Sequence, residues 1–140
     1  AQDKIDALRL QWANTTHPAR RYADHMDIQG CQIKMLFDKA CAGPSAPELA
    51  KPEKIAEAVA KVEKMAFFGI TDEYHRTICL FHKTFGGDEH PSELVNTRLK
   101  HEGKYDLAKY AMRGYLDPFD SPFYERIYKI FDQRATAAGC

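Results

Sequence analysis

Lys64-Met65-Ala66-Phe67-Phe68-Gly69-Ile70 is a short, continuous apolar run closed by a glycine turn, and it sits between two amphipathic stretches. Upstream, Ile55, Val59, Val62 and Ala66 recur at helical spacing, with Glu57 and Lys61 placed as a favourable i,i+4 pair. Downstream, Thr71 or Asp72 is suited to cap a helix, with Asp72 and Glu73 at the positive end of its dipole. Tyr74, Ile78, Phe81 and Phe85 then line one face of that helix, and Gly86-Gly87 stops it. The run between, Met65–Ile70, is apolar on both faces, which predicts one short buried strand of the kind found in a parallel sheet covered by helices. The chain offers no second convincing strand, and unpaired backbone groups inside a core are expensive. The expected fold is therefore α-rich, with helices around a single short strand. Its pairing partner would come from a longer parent chain or another subunit, unless the run is a buried helical turn.

Working outward, the rest of the chain reads as short helices in one domain spanning residues 1–140. Ile5, Leu8 and Trp12 share a helix face that stops before Asn14-Thr15-Thr16-His17-Pro18. Ile33, Leu36, Phe37 and Ala40 form a second apolar face, ended by Gly43-Pro44. Residues 43–52, with Pro44, Pro47 and Pro52, predict a surface loop. Residues 88–102 predict a polar loop with a short helical turn. Tyr105, Ala108, Met112 and Tyr115 line a further helix. The last helix starts at Asp120-Ser121-Pro122, buries Tyr124, Ile127, Tyr128 and Phe131, and frays over Ala135–Gly139. The aromatic stripes of the last three helices are assigned to the core.

Composition limits the function classes. With 44% hydrophobic and 29% charged residues, the 140-residue chain is globular in character. Twenty basic residues balance twenty acidic ones and are dispersed, so neither nucleic acid nor an anionic membrane is indicated as a partner. No apolar run approaches the roughly 18–20 residues that span a bilayer. There is no initiating methionine or basic-then-apolar leader, as expected of a processed mature form or an excised piece of a longer protein. None of Cys31, Cys41, Cys79 and Cys140 sits in a C-x-x-C pair, which argues against a zinc ribbon or a thioredoxin-type site. Cys31 and Cys41 flank a predicted helix and could bridge in an oxidising compartment; free buried thiols are the favoured expectation.

Three pieces of the sequence carry a family resemblance. They are Phe67-Phe68-Gly69-Ile70-Thr71-Asp72-Glu73-Tyr74 with Thr77, Leu80-Phe81 and Thr84-Phe85; Gly30-Cys31-Gln32 with Lys34-Met35-Leu36; and Leu116-Asp117 with Asp120, Tyr124 and Phe131. In this order they resemble the C-terminal part of carbohydrate sulfotransferases of the heparan-sulphate O-type, across about residues 28–135 with gaps. The resemblance implies the trailing portion of a P-loop-like three-layer α/β domain. It also implies the cofactor 3′-phosphoadenosine 5′-phosphosulfate (PAPS), a glycan acceptor and the Golgi or secretory lumen; import into an organelle with trimming would leave a similar chain. The segments with which the family binds PAPS do not match here. No G-x-x-x-x-G-K-[ST] occurs, Gly86-Gly87 is followed by phosphate-repelling Asp88-Glu89, and Arg20-Arg21 lacks the Asp-Pro and Ser context of the 3′-phosphate grip. No catalytic residue is assigned, and no cofactor is expected on this chain unless the missing N-terminal part is supplied.

Few polar residues remain as candidates. Gln32 and Lys34 could touch an acceptor or cofactor, although solvated positions opposite the Ile33/Leu36/Phe37 stripe are the plainer reading. Asp117 and Asp120, beside Pro118 and Ser121-Pro122, read as a turn and a helix cap rather than a catalytic carboxylate pair. His75, Cys79 and His82 share a helix face at i, i+4 and i+7, and with His90 or His101 could ligate zinc; a polar flank beside the apolar stripe explains them more simply. Three functions follow. The favoured one is a non-catalytic sulfotransferase-like component of a larger assembly. The others are a C-terminal fragment of an active PAPS-dependent enzyme and an unrelated helical interaction module.

Overall fold

The structure, a computed structural model, describes residues 18–95, 112 and 114–140. Among these are five α-helices: α1 (Pro18–Ala23), α2 (Cys31–Leu36), α3 (Pro52–Glu63), α4 (Tyr74–Phe85) and α5 (Asp120–Ala137). Single 3-10 turns lie at Pro47–Ala50, Thr71–Glu73 and Pro91–Leu94, the last where a short helical turn is expected. The predicted helices over Ile5–Trp12 and from Tyr105 fall outside the described residues, apart from a turn near Met112 and Tyr115. No described helix is long and apolar enough to cross a membrane.

The longest helix, α5, organises the others, packing against α2, α3 and α4. Phe123, Ile127, Phe131 and Ala135 are its buried residues, four apart and so on one stripe. Ile127 and Phe131 of the predicted stripe are buried as expected, while Tyr124 and Tyr128 are half-buried and Phe123 and Ala135 complete the stripe. The C-terminal turn does not fray, because Ala135 is fully buried and Cys140 is bonded to Cys79. Helix α3 adds Ile55, Ala58, Val59 and Val62, and α2 adds Ile33. The proline-rich loop is not purely superficial: Ala46 and Leu49 point into the same core.

The strand expected at Met65–Ile70 is absent, and the described residues contain no β-strand. Helix α3 ends at Glu63, and the chain then runs irregularly, with Met65 exposed and only Ile70 buried. At its two ends the backbone is met by side chains instead of a neighbouring strand. Arg134 donates to the carbonyls of Glu63 (2.6 Å) and Met65 (3.2 Å). The Thr77 hydroxyl sits 2.9 Å from both the N–H and the carbonyl of Ile70. Gly69 is needed beside it, since a Cβ there would collide with Thr77. No ladder is required here: both ends of the run bond within the chain, and most of the stretch between them is exposed or only partly buried.

Helix α4 is also turned from its predicted orientation. Leu80 is its one buried residue, while Tyr74, Phe81 and Phe85 are 46%, 41% and 59% exposed. The reason is Arg76, which pairs with Asp132 at 2.9 Å and donates to Thr136 on α5. Its guanidinium also lies 5.6 Å from the centre of the Phe131 ring. Docking through the Arg76/Leu80 side carries the aromatic stripe away from α5.

All four cysteines are paired, Cys31 with Cys41 and Cys79 with Cys140, which corrects the expectation of free thiols. In chain-entropy terms the bridges, separated by 10 and 61 residues, stabilise by about 2.7 and about 4 kcal/mol. Pairs of this kind are stable in an oxidising compartment.

Phe131→Ala should destabilise the fold by about 3–5 kcal/mol in chemical denaturation, because it empties a fully buried site. Phe85→Ala should stay within about 0.5 kcal/mol. Equal losses would mean that the α4 stripe is core after all.

Candidate functional site

Gln32, Lys34, Asp117 and Asp120 come together where α2 meets the start of α5. Helix α2 has six residues, below the length at which isolated helices hold. Its first N–H groups are met from α5 and the turn before it. The Asp117 carboxylate accepts from Gly30 N–H (2.9 Å), and that of Asp120 from Gln32 and Ile33 N–H (3.0 Å each). Asp117 also accepts from Phe119 and Asp120 N–H, closing its own turn. Turn and cap is thus the role of both aspartates, but Asp120 caps a different helix from the one it begins. Burial raises the Asp120 pKa, the N–H groups of Gln32 and Ile33 draw it back, and nearby Asp117 raises it. Gly30 fits here with φ 68°, and a Cβ would stand 2.9 Å from Phe119.

Lys34 is not the solvated contact residue expected from its spacing. It is 1% exposed, and its ammonium donates to the carbonyls of Asp27 (3.0 Å), Gly43 (3.2 Å) and Met26 (3.3 Å). An ammonium has three donors, so none is left for a ligand. The residue ties the loop before α2 to the loop after it, beside the Cys31–Cys41 bridge. Gln32 is exposed and lines an open groove of about 390 Å³ with Leu116, Asp120, Ser121, Tyr124 and Glu125. Burial and the neighbouring Asp72 carboxylate push the Tyr124 phenol up to about 12, and it donates to Asp72 at 3.1 Å. Tyr128 donates likewise to Glu73 (2.7 Å). Helix α4, expected to be capped by Thr71 or Asp72, begins after Glu73, which makes no side-chain cap bond; Asp72 and Glu73 bond across to α5 instead.

The groove does not fit PAPS. Its charged lining residues are the carboxylates Asp120 and Glu125, with no cation among them to meet a phosphate or sulfate. It offers an amide, a hydroxyl, two carboxylates and an aromatic ring, a set that can hydrogen-bond a neutral polar molecule.

The His75, Cys79 and His82 face does not assemble as a ligand set. Cys79 is committed to its disulfide, His75 is exposed, and His101 lies outside the described residues. No cluster of three metal-ligating side chains occurs among the described residues. His82 instead pairs with Glu93 at 2.8 Å. Glu93 also accepts from His90 N–H, and Ser92 N–H donates to His90 Nδ1, which makes a capping box at Pro91–Leu94. The sequence signal for this was His90-Pro91-Ser92-Glu93, with an acid three residues after the cap. The bond to Glu93 chiefly raises the His82 pKa, with help from the Gly86 backbone and the Glu89 charge, against burial. Glu93 is lowered, first by the His90 N–H and then by His82.

No family model, curated protein or solved structure matches this chain.

Lys34→Met should cost about 3 kcal/mol or more, because it removes the donor from buried carbonyls, whereas Gln32→Ala should stay within about 0.5 kcal/mol. A stable Lys34→Met protein in thermal unfolding would contradict the structural role.

The His82–Glu93 clamp has a defined pH window. The raised histidine contributes fully below its ordinary 6.5, and that contribution is lost as pH rises through the folded-state value. The lowered carboxylate contributes above its ordinary 4.5, and that is lost as pH falls through its folded-state value. Wild type should therefore lose melting temperature between pH 6 and 8 relative to Glu93→Gln, and NMR titration should place His82 above the ordinary 6.5. A His82 that titrates at or below that value would refute the clamp.

Proposed function

We propose that this chain is a non-catalytic, sulfotransferase-like binding component that works with a polypeptide carrying the PAPS-binding segments. The observation that carries this reading is the aromatic cluster on the outer side of α4. Phe67, Phe81 and Phe85 pack edge-to-face and tilted, with ring centres 5.1–6.1 Å apart, while Phe81 and Phe85 stay largely exposed. Contiguous exposed apolar surface of this kind marks interaction sites, and aromatic residues are favoured at interface cores. The contact is therefore side chain on side chain, replacing the strand pairing expected at Met65–Ile70.

The non-catalytic half of the reading is supported by what the resembling residues do. Asp117 and Asp120 hold the Gly30–Ile33 backbone, Asp72 and Glu73 hold Tyr124 and Tyr128, and Thr77 holds Ile70. The three resembling pieces clasp one another, and these polar groups are spent on structure. The paired cysteines agree with the secretory lumen that the resemblance implies.

Purified from its source, the chain should be retained on immobilised 3′,5′-ADP (PAP, the desulfated cofactor) as part of a species above its own 16.0 kDa. The double variant Phe81→Ser, Phe85→Ser should keep its helical circular dichroism but lose that retention. Tight calorimetric binding of PAP by the isolated 140-residue chain would sink the non-catalytic reading. A P-loop found in the same polypeptide by intact mass and sequencing would favour a fragment of the active enzyme.

A further inference from the structure

The geometry points to a pH-operated latch: residues 88–95 lie closed on α4 while His82 is protonated and swing off it once the ring is neutral. Of these residues only Glu93 is half-buried; the rest are exposed, so no apolar burial pins the segment. Among the described residues, its hydrogen bonds to the rest of the molecule all run through Glu93. The carboxylate meets His82 Nε2 at 2.8 Å, and the carbonyl accepts from the Tyr74 hydroxyl at 2.8 Å. The segment's other bonds are internal. Glu93 accepts from His90 N–H, and Ser92 N–H donates to His90 Nδ1, so the turn keeps its shape and moves as one piece. Gly86 and Gly87, at φ 84° and 90°, lie between it and α4. Glycine enters that backbone region freely, which makes the pair a hinge. His82 has nothing else to hold, since its Nδ1 is buried and makes no hydrogen bond.

The proton on His82 decides between the two positions. The ring faces Glu93 and Glu89 from the segment, with Lys83 beside it on α4; Glu93 in turn faces His82 and His90. A charged ring on a carboxylate makes a charge-assisted bond, roughly twice as strong as a neutral one. The Glu93 bond is accordingly the first cause that raises His82. Closure is fullest below the ordinary 6.5 and is lost as pH rises through the closed-state value. The lowered Glu93 keeps its charge over this range. His90 works the other way, because a protonated Nδ1 cannot accept from Ser92. Release frees the Tyr74 hydroxyl and uncovers that end of the exposed stripe that continues through Phe81 and Phe85. The latch belongs to this chain alone and does not depend on the partner reading.

The full 140-residue chain, with both bridges intact, would be followed by NMR between pH 6 and pH 8. The closed-to-open ratio is read from the Tyr74–Glu93 nuclear Overhauser contacts and the backbone order parameters of residues 88–95. It should fall by about three- to fivefold across that range, as for a partly exposed ion pair. Hydrogen-exchange protection of Leu80 and Phe81 within α4 should stay constant. The fall should persist in His90→Asn and vanish in His82→Gln, and Glu93→Gln should be open at every pH. A wild-type ratio that does not change would overturn the latch. So would a fall that survives His82→Gln, or one accompanied by lost protection at Leu80 and Phe81, which would mean that α4 itself melts.

Discussion

Two carboxylates at the start of α5 hold the six-residue helix α2 in place. Helix α2 is too short to persist by its own hydrogen bonds, yet it carries much of what surrounds it. Ile33 is fully buried, Lys34 pins the flanking loops and Cys31 closes one disulfide. Each depends on the register of that single turn and a half. Asp117 and Asp120 set the register by taking the N–H groups of Gly30, Gln32 and Ile33 from residues 87 or 88 positions away in sequence. The first and last described parts of the molecule are thus joined by charge-assisted hydrogen bonds, stronger than neutral ones.

The same logic recurs along α5. Arg134 takes the carbonyls at the end of α3, Tyr124 and Tyr128 reach the acids before α4, and Asp132 receives Arg76. Its apolar stripe buries area against the other helices, and its polar flanks fix their ends. Burial drives such packing without direction, so these flanking bonds choose among the ways the helices could lie on the stripe. Helix α4 shows the choice most clearly: its aromatic side is the more hydrophobic, but the Arg76 side has the partners.

What could be read from the sequence follows from the range of each signal. Helices α3, α4 and α5 were legible in their spacing, because Ile55/Val59/Val62 and Ile127/Phe131 repeat within a few residues. The turn-and-cap role of Asp117 and Asp120 was legible from neighbouring prolines, though not which helix Asp120 would cap. Met65–Ile70 misled because an apolar run looks alike whether a strand or a side chain will satisfy its backbone, and Arg134 is 69 residues from the Met65 carbonyl it serves. Lys34 misled for a related reason. Periodicity placed it off the apolar stripe, but three carbonyls converge there from segments whose approach no local pattern encodes. The Cys79–Cys140 pairing has no local signature at all.

The segment after α3 has one more consequence. A strand inside a sheet opens only when its ladder breaks, and usually with its neighbours. The residues from Met65 to Ile70 have no ladder to break: Arg134 and Thr77 bind the two ends of the run and Phe67, Phe68 and Ile70 pack against the core, so it opens by releasing these few contacts rather than a set of strands. Such an excursion is a sub-global opening, well below the free energy of unfolding the whole molecule. It would loosen Phe67 from Phe81 and Phe85 and change the shape of the exposed aromatic cluster. The outer face of α4 is therefore an adaptable surface, rigid along the helix and compliant along the connector that borders it.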